Sequence, residues 1–177
     1  MLSSTHDKNR TMRFFSKTHK KFVESLIERI KEVYGDDLLS IVIFGSYARG
    51  SNKTTSDIDI LIVLERAAKS RRERLKEFVE KVEKPLSDLF EKLLEEDIYL
   101  DVTPVILTKD EARFFNPLYL SILQSKIIIY DKNNFIQDTL KKVEKLLKEW
   151  ETKKENVGSC EVWIVRKGKP LEVTRLG

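Results

Sequence analysis

The sequence predicts an α+β domain of α/β-like character, a small mixed β-sheet flanked by helices. Three observations predict it. Short runs rich in β-branched residues end at glycine or at polar loop clusters. Longer stretches between them carry apolar residues at helical spacing. Helices and strands interleave along the chain, with no internal repeat and no low-complexity linker. With 177 residues the chain fits one domain with a substantial core.

Residues 1–14 are polar, carry no period and are expected to form a flexible segment. From about 16 to 34, Phe22, Val23, Leu26, Ile27, Ile30 and Val33 recur at helical spacing, and Gly35 follows as a stop. Leu38 to Phe44 reads as a buried strand that meets a turn at Gly45. Residues 50–56 have loop composition and lead into a second strand, 57–64. A long helical region covers about 67–95, and Pro85 should kink or divide it. Residues 98–107 look like a third strand, placed at a sheet edge or bulged by Pro104. Thr108 to Glu111 has the form of a capping box, and Asn116-Pro117 opens another short helix that runs to about Ser125. A brief strand at 126–130, a charged amphipathic helix at 132–154 and a tail hairpin around Gly168-Lys169-Pro170 complete the order. The expected division is a core over 15–107 and a helical extension with a strand or hairpin over 108–177, packed on the same domain.

Composition narrows the function classes. With 41% hydrophobic and 35% charged residues the chain is not a disordered one. A net charge of +4 permits an anionic partner, a nucleotide or RNA, without requiring one. Cys160 is the only cysteine, which excludes an intrachain disulfide and disfavours a cysteine zinc site; His6 and His19 are the only histidines. No apolar run is long enough to span a bilayer and the first residues lack a signal-peptide core, so the expectation is a cytoplasmic protein without a membrane partner. The clusters Arg71, Arg72, Arg74 and Lys141, Lys142, Lys145, Lys148 read as solvated helix faces, and Trp150 and Trp163 as buried aromatics.

The chemistry-bearing residues stand out against this background. Asp57 and Asp59 sit two apart in an apolar strand, so their carboxylates share a face while Ile58, Ile60 and Ile62 take the other. Two adjacent anions on an apolar strand are costly to desolvate, and a divalent cation between them removes that cost. Oxygen-only ligands favour Mg²⁺ or Mn²⁺. Asp101, between Leu100 and Val102, has the same oddity. Three converging acids would hold two ions roughly 3.5–4 Å apart, suited to in-line displacement at phosphorus. Gly45-Ser46 at a strand end lets backbone N–H groups approach an anion, with Arg49 one turn on.

These residues, Gly45-Ser46, then Asp57-Ile58-Asp59, then Asp101, resemble the signature of the DNA polymerase beta-type nucleotidyltransferase superfamily. Within FGSYARGSNKTTSDIDILIVL, Ala48-Arg49-Gly50 and Ser56 also resemble its minimal nucleotidyltransferase branch, over residues 20–107. The resemblance implies the nucleotidyltransferase fold. It further implies catalytic and metal-ligating roles for Asp57, Asp59 and Asp101, with two Mg²⁺ or Mn²⁺ ions. It implies nucleotide contacts for Gly45, Ser46, Arg49 and Ser56. The activity expected is transfer of a nucleoside monophosphate, AMP from ATP, to a hydroxyl acceptor with release of pyrophosphate. The alternative expectation is an antitoxin-like partner of a helical HEPN-type toxin, acting by occlusion or by AMP transfer onto it through the helix at 132–154. A homodimer and an RNA acceptor stay open.

Overall fold

The computed structural model describes residues 12–67, 70–157, 160–164 and 174–176. Helix α1 (Lys17–Tyr34) opens at Ser16, whose hydroxyl accepts from the His19 amide at 3.0 Å. Its buried stripe runs from His19 through Phe22, Val23, Leu26 and Ile27 to Ile30. Strand β1 (Leu38–Phe44) is buried at every position, since a neighbour strand lies on each side and helices cover both faces. The short helix α2 (Gly45–Arg49) and a loop lead to β2 (Ile58–Leu64).

The helical region that follows is divided as expected near Pro85. It comprises α3 (Arg71–Phe78), a π-type turn over Val79–Glu83, a 3-10 turn over Lys84–Leu86, and α4 (Ser87–Glu95). Pro85 brings no N–H for the carbonyl of Lys81, four residues earlier. That carbonyl accepts from Arg29 Nε on α1 at 2.8 Å instead.

Strand β3 (Val102–Thr108) is followed by α5 (Lys109–Ala112), α6 (Leu118–Gln124), β4 (Lys126–Asp131) and α7 (Phe135–Glu149). The four-stranded sheet has the order β3-β2-β1-β4, so Pro104 does lie on an edge strand. β1 is antiparallel to both β2 and β4, and β2 is parallel to β3, which makes the sheet mixed. Ile58, Ile60, Ile62 and Leu64 pack against α1 and the α3–α4 region; Leu61 and Val63 face Tyr119, Ile136, Leu140 and Val143 of α6 and α7.

Several expectations need correction. The last long helix ends at Glu149, and residues through 157 form strand β5 (Lys153–Val157), paired with β6 (Cys160–Ile164). The hairpin expected around Gly168-Lys169-Pro170 lies outside the described residues. Of the expected flexible segment, 1–11 lie outside them, while Met12 packs against the core and the Arg13 carbonyl accepts from Asn52. Arg74 is no solvated residue: it is 4% exposed and donates to both carboxylate oxygens of Glu111, at 3.0 and 2.8 Å. Trp150 is buried against Phe115, as expected. Helix α7 turns its apolar stripe into the core, leaving its charged face outward. Among the described residues no helix is long and apolar enough to cross a membrane.

Candidate active site

The parallel register of β2 and β3 brings the acids together. Ile58 pairs with Val102, so Asp57 and Asp101 stand side by side at the mouth of the two strands. The Ile58 amide donates to the Asp101 carbonyl at 2.8 Å, and the Tyr99 amide donates to the Thr54 carbonyl at 2.7 Å, extending the alignment into the preceding loops. Both aspartates were expected inside strands; each instead immediately precedes one and is exposed. A carboxylate at the strand mouth keeps its water, whereas one a residue or two further in would be stripped of it. Asp59 is that inner residue and is half-buried. By alternation Asp57 and Asp59 share a face, the one that carries Leu61 and Val63 deeper in the sheet, and register puts Asp101 on the same face.

The turn after β1 closes the site from the neighbouring strand. Gly45 has φ +67°, and a Cβ there would overlap Asp59 Oδ2 and sit 3.1 Å from Asp59 Cγ. Only glycine combines that backbone angle with so close an approach. Ser46 follows half-buried, and α2 ends at Gly50 with φ +69°. From the extension, Ser125 Oγ lies 3.4 Å from the Gly45 carbonyl, so the region after 108 helps to fix the turn. Ser56 closes the loop ahead of Asp57, its hydroxyl accepting from the Lys53 amide at 2.9 Å.

The electrostatics match the geometry. Burial pushes the Asp59 carboxyl above the usual carboxylate range, the Asp57 charge pushes it further, and Arg49 opposes both. Arg49 is exposed at the end of α2 and makes no ion pair among the described residues. Glu83 is a further acid that the sequence did not single out. Burial, and then the charge of Asp101, raise its pKa. It lies in the π-type turn, and a glutamate within a charged helical stretch carries no signal that it comes within electrostatic reach of Asp101.

Among the described residues no three Asp, Glu, His or Cys side chains converge tightly enough to enclose an ion. The donor set nevertheless fits a hard divalent cation. It is all oxygen, it lies on one face, and its inner carboxylate is destabilised by a charged neighbour that a cation would neutralise. The acids lie open at the sheet mouth. A cavity of about 270 Å³, lined by Leu39, Glu65, Lys109 and Lys142 among others, belongs to the opposite end of the strands.

The mixed sheet thus carries the glycine-serine turn against Asp59, with Asp57 and Asp101 at the mouth of β2 and β3. Residues 20–165 match the model of the nucleotidyltransferase domain family, and the chain belongs to that family. The match runs past residue 107, where the sequence resemblance to the minimal branch had faded, and takes in β4. A Methanocaldococcus jannaschii protein named "Putative protein adenylyltransferase" is 30% identical over 131 residues, covering 71% of this chain and 81% of its own length. Among solved structures, spectinomycin adenyltransferase AAD(9) of Enterococcus faecialis is similar at a TM-score of 0.51 and 11% identity, over 75% of this chain and 68% of that one. A chain of a toxin–antitoxin crystal structure with AMP-PNP is similar at a TM-score of 0.46 and 20% identity, over 72% and 92%. The chain is a nucleotidyltransferase enzyme.

Proposed function

We propose that this chain transfers AMP from ATP to a hydroxyl group on a protein, releasing pyrophosphate. The observation that carries the proposal is the contact between Gly45 and Asp59. It sets a backbone turn suited to phosphate oxygens directly against the acid pair, in register with Asp101. The open position of Asp57 and Asp101 suits an acceptor too large to enter a pocket, and the M. jannaschii relative's name supports a protein acceptor.

In this reading Gly45 and Ser46 present N–H and O–H donors to the β and γ phosphates, and Arg49 draws the triphosphate tail toward them. Asp57, Asp59 and Asp101 would hold Mg²⁺ or Mn²⁺, which neutralises the phosphate charge when bound. Asp101, on the side away from the turn, accepts the proton of the acceptor hydroxyl. The acceptor oxygen forms a bond to the α-phosphorus while the bond from that phosphorus to the bridging oxygen of the β-phosphate breaks. Catalysis rests on positioning and charge, with no covalent enzyme intermediate. Ser56 supports the loop that carries Asp57 and lies where a nucleotide would meet it. Within this class of acceptors, a helical HEPN-type protein is the partner the sequence resemblance implies.

The test is incubation with ATP labelled at the α-phosphate, Mg²⁺ and candidate protein acceptors, beside an Asp57→Asn, Asp59→Asn double variant. Label on a protein with the wild type and none with the variant supports the proposal. Neutralisation of a helical toxin partner that survives the double substitution would assign the chain to occlusion, without chemistry.

A further inference from the structure

We propose that His19, Tyr47 and Asn52 form a positioning lock that holds the Gly45-Ser46 turn, anchored in the segment just before α1; this rests on the phosphate-binding reading of that turn. Tyr47 lies two residues beyond Gly45 on α2, is 1% exposed, and places its hydroxyl 2.8 Å from His19 Nε2. The tautomer follows from the other side of the ring. The Phe15 amide donates to His19 Nδ1 at 3.3 Å, so Nδ1 carries no proton and Nε2–H donates to Tyr47 Oη.

The tyrosine hydroxyl then keeps its own proton to give. Asn52, fully buried just past α2, is near enough to that hydroxyl to oppose in part the rise in pKa that burial causes, and its Oδ1 is a buried acceptor with no partner among the described residues. The Asn52 amide nitrogen donates to the Arg13 carbonyl at 2.9 Å. Two buried tethers thus run from α2 and the residues just past it to the segment before α1: Tyr47 through His19 to the backbone at Phe15, and Asn52 to the backbone at Arg13. The His19 ring stacks on Phe15 with centroids 5.4 Å apart and meets Phe14 and Tyr47 edge-on, which fixes its plane.

Ordinary packing does not need this arrangement, because apolar residues would fill the same space without desolvating three polar side chains. A buried polar network restricts the structure to one geometry. The element above it needs such restriction: α2 spans only Gly45–Arg49, too short to hold its own shape, and must keep Gly45 at φ +67° against Asp59.

The experiment is hydrogen exchange by mass spectrometry on the full chain, with and without ATP, for wild type, Tyr47→Phe, His19→Gln and His19→Leu. Phe22→Leu, a core change on α1 outside the network, is the control at matched stability. Tyr47→Phe is expected to speed exchange over both 13–16 and 45–51 and to weaken ATP binding about fivefold, the worth of one net hydrogen bond, with Phe22→Leu doing neither. His19→Gln, which keeps one donor and one acceptor, is expected to lie closer to wild type than His19→Leu. Equal exchange at 45–51 in Tyr47→Phe and Phe22→Leu overturns the lock. A wild type protected by ATP at 45–51, with Tyr47→Phe protected and binding equally well, overturns this proposal alone. A wild type that ATP leaves unprotected there overturns the phosphate reading and the lock together.

Discussion

Gly45 rests against the carboxylate of Asp59, with no room for a β-carbon between them and a backbone angle of φ +67°. Substitution Gly45→Ala therefore meets two penalties at once, a left-handed backbone on an L-residue and an overlap with Oδ2. The expected cost to stability is about 1–3 kcal/mol, read by denaturant unfolding. Nucleotidyl transfer should fall at least tenfold, because either the turn or Asp59 has to move.

Asp59 is ionised at a cost in stability. Its folded pKa is raised above the ordinary 3.8, first by burial and then by Asp57, so the folded chain holds that proton more tightly than the unfolded one does. Stability from this group is therefore lost as pH rises through the raised value and regained as pH falls through it. Without divalent cations Asp59→Asn should raise the melting temperature at pH 7 while abolishing transfer. Added Mg²⁺ should raise the melting temperature of the wild type and leave Asp57→Asn, Asp59→Asn unmoved. A double variant that Mg²⁺ stabilises as much as the wild type would remove these acids from the metal site.

His19 gives the opposite pH slope. Burial lowers its pKa below 6.5, and Glu96 partly opposes that. The folded chain thus releases the proton more readily than the unfolded one, so stability is full above about 6.5 and declines as pH falls through the lower folded value. Thermal melts between pH 7.5 and roughly 5 should show this step in the wild type and its loss in His19→Gln. Glu96→Gln removes the opposing attraction and should deepen the step.

Arg74 is buried while its partner Glu111 is about one-third exposed, 5% against 32% by side chain. Glu111→Ala removes the two-oxygen acceptor that Arg74 has between α3 and α5, and one half of the capping box with Thr108. The expected loss is about 2–3 kcal/mol, reduced from the fully buried case by the solvent that reaches Glu111. Urea titration of Glu111→Ala beside Glu111→Gln measures it, and a loss under about 0.5 kcal/mol would place the pair among surface contacts.

Asp131 ends β4 and caps α7 across an intervening 3-10 turn. Its carboxylate accepts from Ser40 Oγ and the Ile136 amide, both at 2.9 Å, and from the Gln137 amide at 3.3 Å. Asn134, in the formal cap position, is left-handed, and its side chain accepts from Gln137 Nε2 at 3.1 Å and caps no backbone amide. Asp131→Ala should cost about 1–2 kcal/mol and speed amide exchange in the first turn of α7.

The sheet and its acids were legible where side-chain pattern and burial agree. Alternation in 57–64 correctly set Ile58, Ile60 and Ile62 on one face and the aspartates on the other. Pattern extends the strands a residue too far at Asp57 and several too far before Val102, because it reports which face a residue takes and not where the ladder of hydrogen bonds begins. The pattern over 132–154 likewise outruns helix α7. The helix is stopped by Glu151 in a left-handed conformation, φ +50°, with the Thr152 amide bonded back to Leu147, and no glycine or asparagine marks the site. The Arg74–Glu111 pair was missed because a buried arginine looks like its solvated neighbours until its partner, 37 residues on, is placed beside it. His19 did carry a signal: it falls on the same stripe as Phe22, Val23 and Leu26.

Strand β4 arrives late in the chain yet lies against β1, and Ser125 beside it reaches the carbonyl of Gly45. During synthesis β1 must therefore wait, one flank bare and apolar, until residue 131 has left the ribosome. A fragment cut near residue 108 would keep every acid of the site and still expose that flank, inviting other chains to pair there. Because β1 pairs with β4 across that cut, a chain trimmed there should precipitate before it can be assayed.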